Sequence, residues 1–222
     1  FRDRFVTRVN RIAVMKYLNK VAEDTSPRNR NNTRAAISVF YTVLVDNFIV
    51  PTNFVDEIKK SKATPERNKS FSTIQEAAIM DELSKSETGQ RVILYIKFVA
   101  WGMLRPIEIN RLKVKDIDLH DKKMYLRAKN QAVKIKRIPD ILAEALPASF
   151  NRMEPESYLF GSSGLGQPWT SPETTRREYY SELFRKLIKT PFNLGEDYGY
   201  YSFRHTYIAK VLTNLMKTHT YY

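Results

Sequence analysis

Two arginines of this 222-residue chain stand where the surrounding sequence would hold a guanidinium still. Arg105 closes a long apolar run and precedes Pro106, a residue suited to the first turn of a helix, so it belongs to a junction and not to a free surface. Arg204 lies in Tyr200-Tyr201-Ser202-Phe203-Arg204-His205-Thr206, at the start of a segment whose apolar residues recur at helical spacing. Helix starts attract phosphate, and an arginine there adds paired hydrogen bonds. Between the two lies a run rich in lysine, with Lys129, Lys134 and Lys136. For either arginine alone, an ordinary ion pair is the better reading, and Glu108, one turn after Arg105, is a ready partner.

The rest of the composition narrows the chemistry. There are no cysteines, which removes disulfide frameworks, thiolate metal sites and thiol nucleophiles together. His120, His205 and His219 are too scattered for a structural zinc site, and Asp116-x-Asp118 lacks the further clustered ligands a metal nuclease needs. Gly161-Ser-Ser-Gly164-Leu-Gly166 has no Gly-Lys-Ser/Thr behind it and reads as a loop. The 37 Lys and Arg against 24 Asp and Glu leave a net charge of +13, which favours a polyanionic partner. The longest apolar run, Val92 to Leu104, is broken by Lys97 and Gly102 and reads as a buried helix, not a membrane span. The opening Phe-Arg-Asp-Arg has no apolar stretch of a signal peptide behind it and no initiator Met, so the chain is read as a fragment.

The elements that must position these groups are mostly helical. Residues 1–62 form a helical domain: Phe5, Val9 and Ile12 recur at helical spacing, and Ser26-Pro27 is an N-cap and first-turn pair. Behind it Ile37, Phe40, Tyr41, Leu44 and Phe48 mark one buried stripe. Arg28, Arg30 and Arg34 crowd the start of that helix, where positive charge opposes the helix dipole. Phosphate contact and a merely solvated helix end explain them equally well. Residues 63–68 are a polar linker containing Pro65. The second domain, 69–222, opens with a capping box on Ser72-x-x-Gln75 or Thr73-x-x-Glu76, with Phe71 as a hydrophobic staple. Then come the buried helix Val92–Trp101 and three short strands near Leu112–Leu119, Met124–Leu126 and Val133–Ile138. Helices follow at 141–146, 172–188 and 203–216, the last burying Tyr207, Ile208, Val211, Leu212 and Leu215.

The ordered set carries more than its parts. Gly102-Met-Leu-Arg105-Pro-Ile-Glu108-Ile-Asn-Arg-Leu112-Lys-Val-Lys-Asp116-Ile-Asp is similar to the first arginine motif of tyrosine recombinases, the phage-integrase family. Lys129-Asn-Gln-Ala-Val-Lys134-Ile-Lys136-Arg-Ile-Pro139 resembles the family's lysine-bearing β-hairpin, and Tyr200–Thr206 resembles its second arginine motif. The basic helical domain in front resembles the DNA-binding arm of the family's clamp. The resemblance spans nearly the whole chain.

It implies a mainly α fold with a small antiparallel sheet and a phosphoryl transfer without metal or other cofactor. A tyrosine attacks a DNA phosphodiester, leaving a 3′-phosphotyrosine and a free 5′-hydroxyl. On this resemblance Arg105 and Arg204 hold the phosphate, and Lys129 protonates the leaving oxygen, with Lys134 and Lys136 as lesser candidates that also contact DNA. Tyr201 stands where the family usually has histidine, Glu108 orients Arg105, and His205 is a support residue. The glycine stands one residue further from Arg105 than the family pattern implies. The nucleophile is expected beyond Tyr222, so the 222 residues are expected to bind DNA without cleaving it. The implied partners are duplex DNA and further copies of the chain, a tetramer on DNA, with no membrane and no small-molecule substrate. The implied setting is the cytoplasm of a prokaryote, with a phage or mobile element as carrier. Rival readings are a non-enzymatic DNA-binding protein, a type IB topoisomerase and, more distantly, a helical RNA-binding module.

Overall fold

The computed structural model describes residues 6–63, 68–127 and 133–218. The chain divides into two units, Phe1–Glu66 and Arg67–Tyr222, each with its own apolar core.

In the first unit, α1 (Arg11–Asp24) is capped by Asn10, whose side chain accepts from the Ala13 N–H at 2.9 Å. Helix α2 (Pro27–Asp46) starts as its sequence dictates, with the Ser26 hydroxyl accepting from the Asn29 N–H and Pro27 in the first turn. Val14 and Leu18 of α1 pack with Tyr41 and Leu44 of α2 and with Val55 and Ile58 behind them. The expected stripes are only partly buried. Ile12 and Phe40 are exposed, and Phe48 is 96% exposed. Helix α2 ends at Asp46, so Phe48 falls in the turn beyond it, with φ of 58°, and leaves the helical register.

In the second unit, α3 (Thr73–Ser84) opens with the reciprocal capping box of Ser72 and Gln75. Phe71 does not act as a staple. It packs on the rings of Phe203 and Tyr198 at 4.5 and 5.2 Å, and its N–H donates to the Thr206 hydroxyl. Helix α4 (Glu87–Ala100) is the apolar centre, burying Val92, Leu94, Tyr95, Ile96, Phe98 and Val99. After the single turn α5 (Pro106–Ile109), an antiparallel sheet follows in the order β1 (Ile117–Asp118), β2 (Lys123–Leu126), β3 (Lys134–Arg137). The predicted first strand is shorter than expected, because Val114–Asp116 form a 3-10 turn.

Then come α6 (Asp140–Ala143), α7 (Glu173–Phe184), which runs into a π-helical turn at Arg185–Lys189, and α8 (Tyr200–Thr218). The buried face of α8 is Tyr200, Phe203 and Thr206, not the later stripe, whose Leu212 and Leu215 are about half exposed. The core contacts come from the first turns, where the chain meets Phe71 and Tyr95. Among the described residues no helix is long and apolar enough to cross a membrane.

Register within the sheet decides which lysines reach the unit. Met124 pairs with Lys136 and Leu126 with Lys134. Opposed residues share a face, so both lysines lie on the side where Met124 and Leu126 are buried.

Candidate active site

Arg105 is presented by a tight reversal between α4 and α5. Gly102 permits it: a Cβ there would meet the Phe98 carbonyl oxygen at 2.6 Å. Met103, two residues before Arg105, takes φ of 50°, left-handed backbone that a non-glycine residue occupies at a cost. Leu104 anchors the turn, fully buried, with its N–H on the Phe98 carbonyl. Arg105 then caps α5. The Glu108 carboxylate accepts from the Arg105 N–H at 2.8 Å and from its guanidinium Nη1 at 3.1 Å, which holds the residue at both ends. From α4, the buried Tyr95 hydroxyl shares its proton between the Pro106 carbonyl (3.2 Å) and Asn110 Oδ1 (3.0 Å). The Arg105 side chain is still 59% exposed and open to a ligand.

The sheet supplies a third group. Lys136 Nζ donates to the Met103 carbonyl at 2.9 Å. Burial pushes the Lys136 amine below the usual lysine range; Glu108 opposes that, while Arg204, Arg105 and Lys134 add to it. Arg105 and Arg204, remote in sequence, are therefore both within electrostatic reach of one lysine. Arg204, half-buried on α8, makes no hydrogen bond or ion pair with a described residue. Lys136 is thus surrounded by more positive than negative charge, with Glu108 the carboxylate that offsets it. Such an excess of positive charge would be relieved by an anion.

No protein-family model matches the chain, and no curated sequence does. Solved structures do. The Tn1549 transposon integrase in complex with circular intermediate DNA is 15% identical, with a TM-score of 0.69 over 96% of this chain and 76% of that one. Lambda integrase bound to DNA is 14% identical, with a TM-score of 0.68 over 96% of this chain and 75% of that one. The fold is that of the tyrosine recombinases.

Within the tyrosine-recombinase fold the sequence-derived candidates separate. Arg105, Glu108, Lys134, Lys136 and Arg204 are brought together. Lys129 lies outside the described residues. Tyr201, one turn before Arg204, is half-buried and close enough to Tyr95 to act on it electrostatically. His205 is half-buried beside Arg204 in α8. In the first unit, Arg28 is exposed, whereas Arg30 and Arg34 are committed internally. Arg30 is 7% exposed and donates to the Lys59 carbonyl at 3.2 Å. Arg34 donates to the carbonyls of Ile58 (2.5 Å) and Asp56 (2.8 Å). These two arginines close α2 onto the segment after it, which accounts for their position without phosphate. Tyr95, Met103 and Asn110 were missed. Only the displaced glycine in Gly102-Met-Leu-Arg105 hinted that the turn is special.

Proposed function

We propose that this chain is the phosphate-activating core of a site-specific DNA recombinase that breaks and rejoins strands through a 3′-phosphotyrosine. The observation that carries the reading is that Arg105, Arg204 and Lys134 all act on Lys136, beside the turn that presents Arg105, an excess of positive charge that Glu108 alone does not neutralise. In this mechanism a tyrosine oxygen bonds to phosphorus as the bond to the 5′-oxygen breaks. Arg105 and Arg204 hold the nonbridging oxygens, whose charge rises in the transition state. Lys129 gives the departing 5′-oxygen its proton. Lys136, one of whose N–H groups is engaged by Met103, lies beside the phosphate. Tyr201 hydrogen-bonds the phosphate in place of a histidine, since a phenol is a poor base near neutral pH. The nucleophilic tyrosine is assigned to none of the described residues.

The substrate is duplex DNA, engaged by a tetramer in the exchange complex, and the basic first unit contributes contacts such as Arg28. The two DNA-bound integrases that share the fold support this reading. The test is fluorescence anisotropy with a labelled random-sequence duplex across a salt series. Affinity falls steeply with salt if phosphates are neutralised. A flat response, or tighter binding to structured RNA than to duplex DNA, refutes the reading.

A further inference from the structure

We propose that Lys136 is a positioning residue for Arg105: from β3 it clamps the Met103 carbonyl and so fixes the left-handed turn that aims Arg105 at a DNA phosphate. The inference deepens the function proposed above and rests on it.

The turn needs such a clamp. Met103 is a non-glycine residue at positive φ, and residues so placed persist only where their surroundings over-determine them. Glycine is available one position earlier, at 102, where its lack of a Cβ serves the close approach to Phe98. The strain therefore falls on Met103. Its carbonyl belongs to the peptide that joins it to Leu104, so the direction of that oxygen reports the ψ of Met103. A donor fixed on that oxygen fixes the peptide. Lys136 is that donor, at 2.9 Å. Two further contacts hold the next residues: Glu108 on the Arg105 N–H and Tyr95 on the Pro106 carbonyl. The backbone from 103 to 106 is thus tied to β3, to α5 itself and to α4.

The cost of placing Lys136 there argues that the contact is specific. The groups facing it are Arg105, Lys134 and Arg204, which repel it, and Glu108, which attracts it. Lys134, on the same face of the strand, stays exposed to solvent. Lys136 instead lies half-buried with its amine on a backbone oxygen.

A double-mutant cycle separates positioning from direct phosphate contact. Duplex binding is measured at low salt for Lys136→Met, Arg105→Ala, Arg204→Ala and the pairs, with thermal unfolding as the fold control. If Lys136 acts through Arg105, Lys136→Met weakens binding by nearly as much as Arg105→Ala, about tenfold for one lost charged hydrogen bond, and adds less than about twofold in the Arg105→Ala background. In the Arg204→Ala background its full effect returns. Lys136→Arg, which keeps a donor for the carbonyl, restores affinity to within about twofold. Should Lys136→Met fail to fold, Lys136→Gln enters the same cycle. Additivity of Lys136→Met with Arg105→Ala overturns the positioning role, because it makes Lys136 an independent phosphate contact. If Arg105→Ala alone leaves duplex binding and its salt dependence unchanged, the DNA reading of the site falls and this inference with it.

Discussion

Replacing Arg105 by alanine probes the site with little disturbance of the fold, and its consequences can be worked through in numbers. The side chain is 59% exposed and its ion pair is with Glu108. An exposed pair of this kind contributes at most about 1 kcal/mol. Glu108 keeps its bond to the residue-105 N–H, which alanine also provides, so the cap on α5 persists. The melting temperature should fall by no more than about 4 °C. Binding responds differently. One charged hydrogen bond to a phosphate is worth about 1.5 kcal/mol or more, which is roughly tenfold at 50 mM salt. Removing one phosphate contact also makes the slope of log affinity against log salt less negative by about 0.9. Between 50 and 200 mM that difference amounts to about 3.5-fold, so the tenfold defect should shrink to about threefold. The assay is anisotropy with a random-sequence duplex at four or more salt concentrations. A defect that stays constant across the series would show that Arg105 does not neutralise a phosphate, whatever its effect on affinity.

Other expectations follow from particular contacts. Arg30→Ala should destabilise the first unit by about 1–3 kcal/mol, because it strands the Lys59 carbonyl and removes a buried guanidinium. Arg28→Ala should leave thermal unfolding unchanged and reduce the salt slope of duplex binding. Gly102→Ala forces a Cβ to 2.6 Å from the Phe98 carbonyl and should lower the melting temperature, as should Met103→Val, which puts a β-branched side chain at φ of 50°. Lys136 has its amine held below the ordinary lysine range, first by burial. The unfolded chain then binds the extra proton between the folded and unfolded values, so this group makes stability rise with pH just below the usual lysine range. Duplex affinity should move the opposite way there, falling as Lys136 loses its charge; Lys136→Arg should abolish that part of the pH profile. At the acid end, Glu156, held at about 2 by Lys115 and Lys113, stabilises the fold above the ordinary carboxylate value, and that contribution is lost as pH falls toward 2. Glu156→Gln should flatten the acid limb of the unfolding profile.

What was legible in the sequence was what is decided locally. The Ser26-Pro27 start, the Ser72–Gln75 box and the apolar run of α4 depend on residues within one or two turns of each other, and all three form as read. The pairing of Glu108 with Arg105 belongs to the same class. What was misread depends on where a helix stops or on what the chain meets at long range. Phe48 fits the α2 stripe by spacing, but the helix ends two residues earlier. Phe71 has the place of a staple, yet the rings of Tyr198 and Phe203 compete for it. For Arg30 and Arg34 the sequence left phosphate contact and a solvated helix end equally open, because the carbonyls to which they donate lie more than twenty residues later in the chain. The prominence of Lys136 depends on strand register: shifting β3 by one residue would send its side chain to the other face.

The two arginines of the site are held in opposite ways, and this division bears on how the chemistry is prepared. Arg105 is fixed through its backbone and its carboxylate partner, with the turn before it clamped from the sheet. Its side-chain charge is partly compensated before any ligand arrives. Arg204 has no such compensation among the described residues, and its position follows from the burial of Phe203 and Thr206 on the same first turns of α8. A phosphate entering between them would therefore gain most from Arg204, whose charge is unspent, and would be oriented most by Arg105, whose direction is set. Glu108 sets the balance. Converting it to Gln keeps an acceptor for the Arg105 N–H but removes the charge that holds the guanidinium and attracts Lys136. Two effects on duplex affinity then oppose each other, the lost negative charge favouring the phosphate and the loosened Arg105 disfavouring it, so Glu108→Gln should change affinity less than Arg105→Ala does.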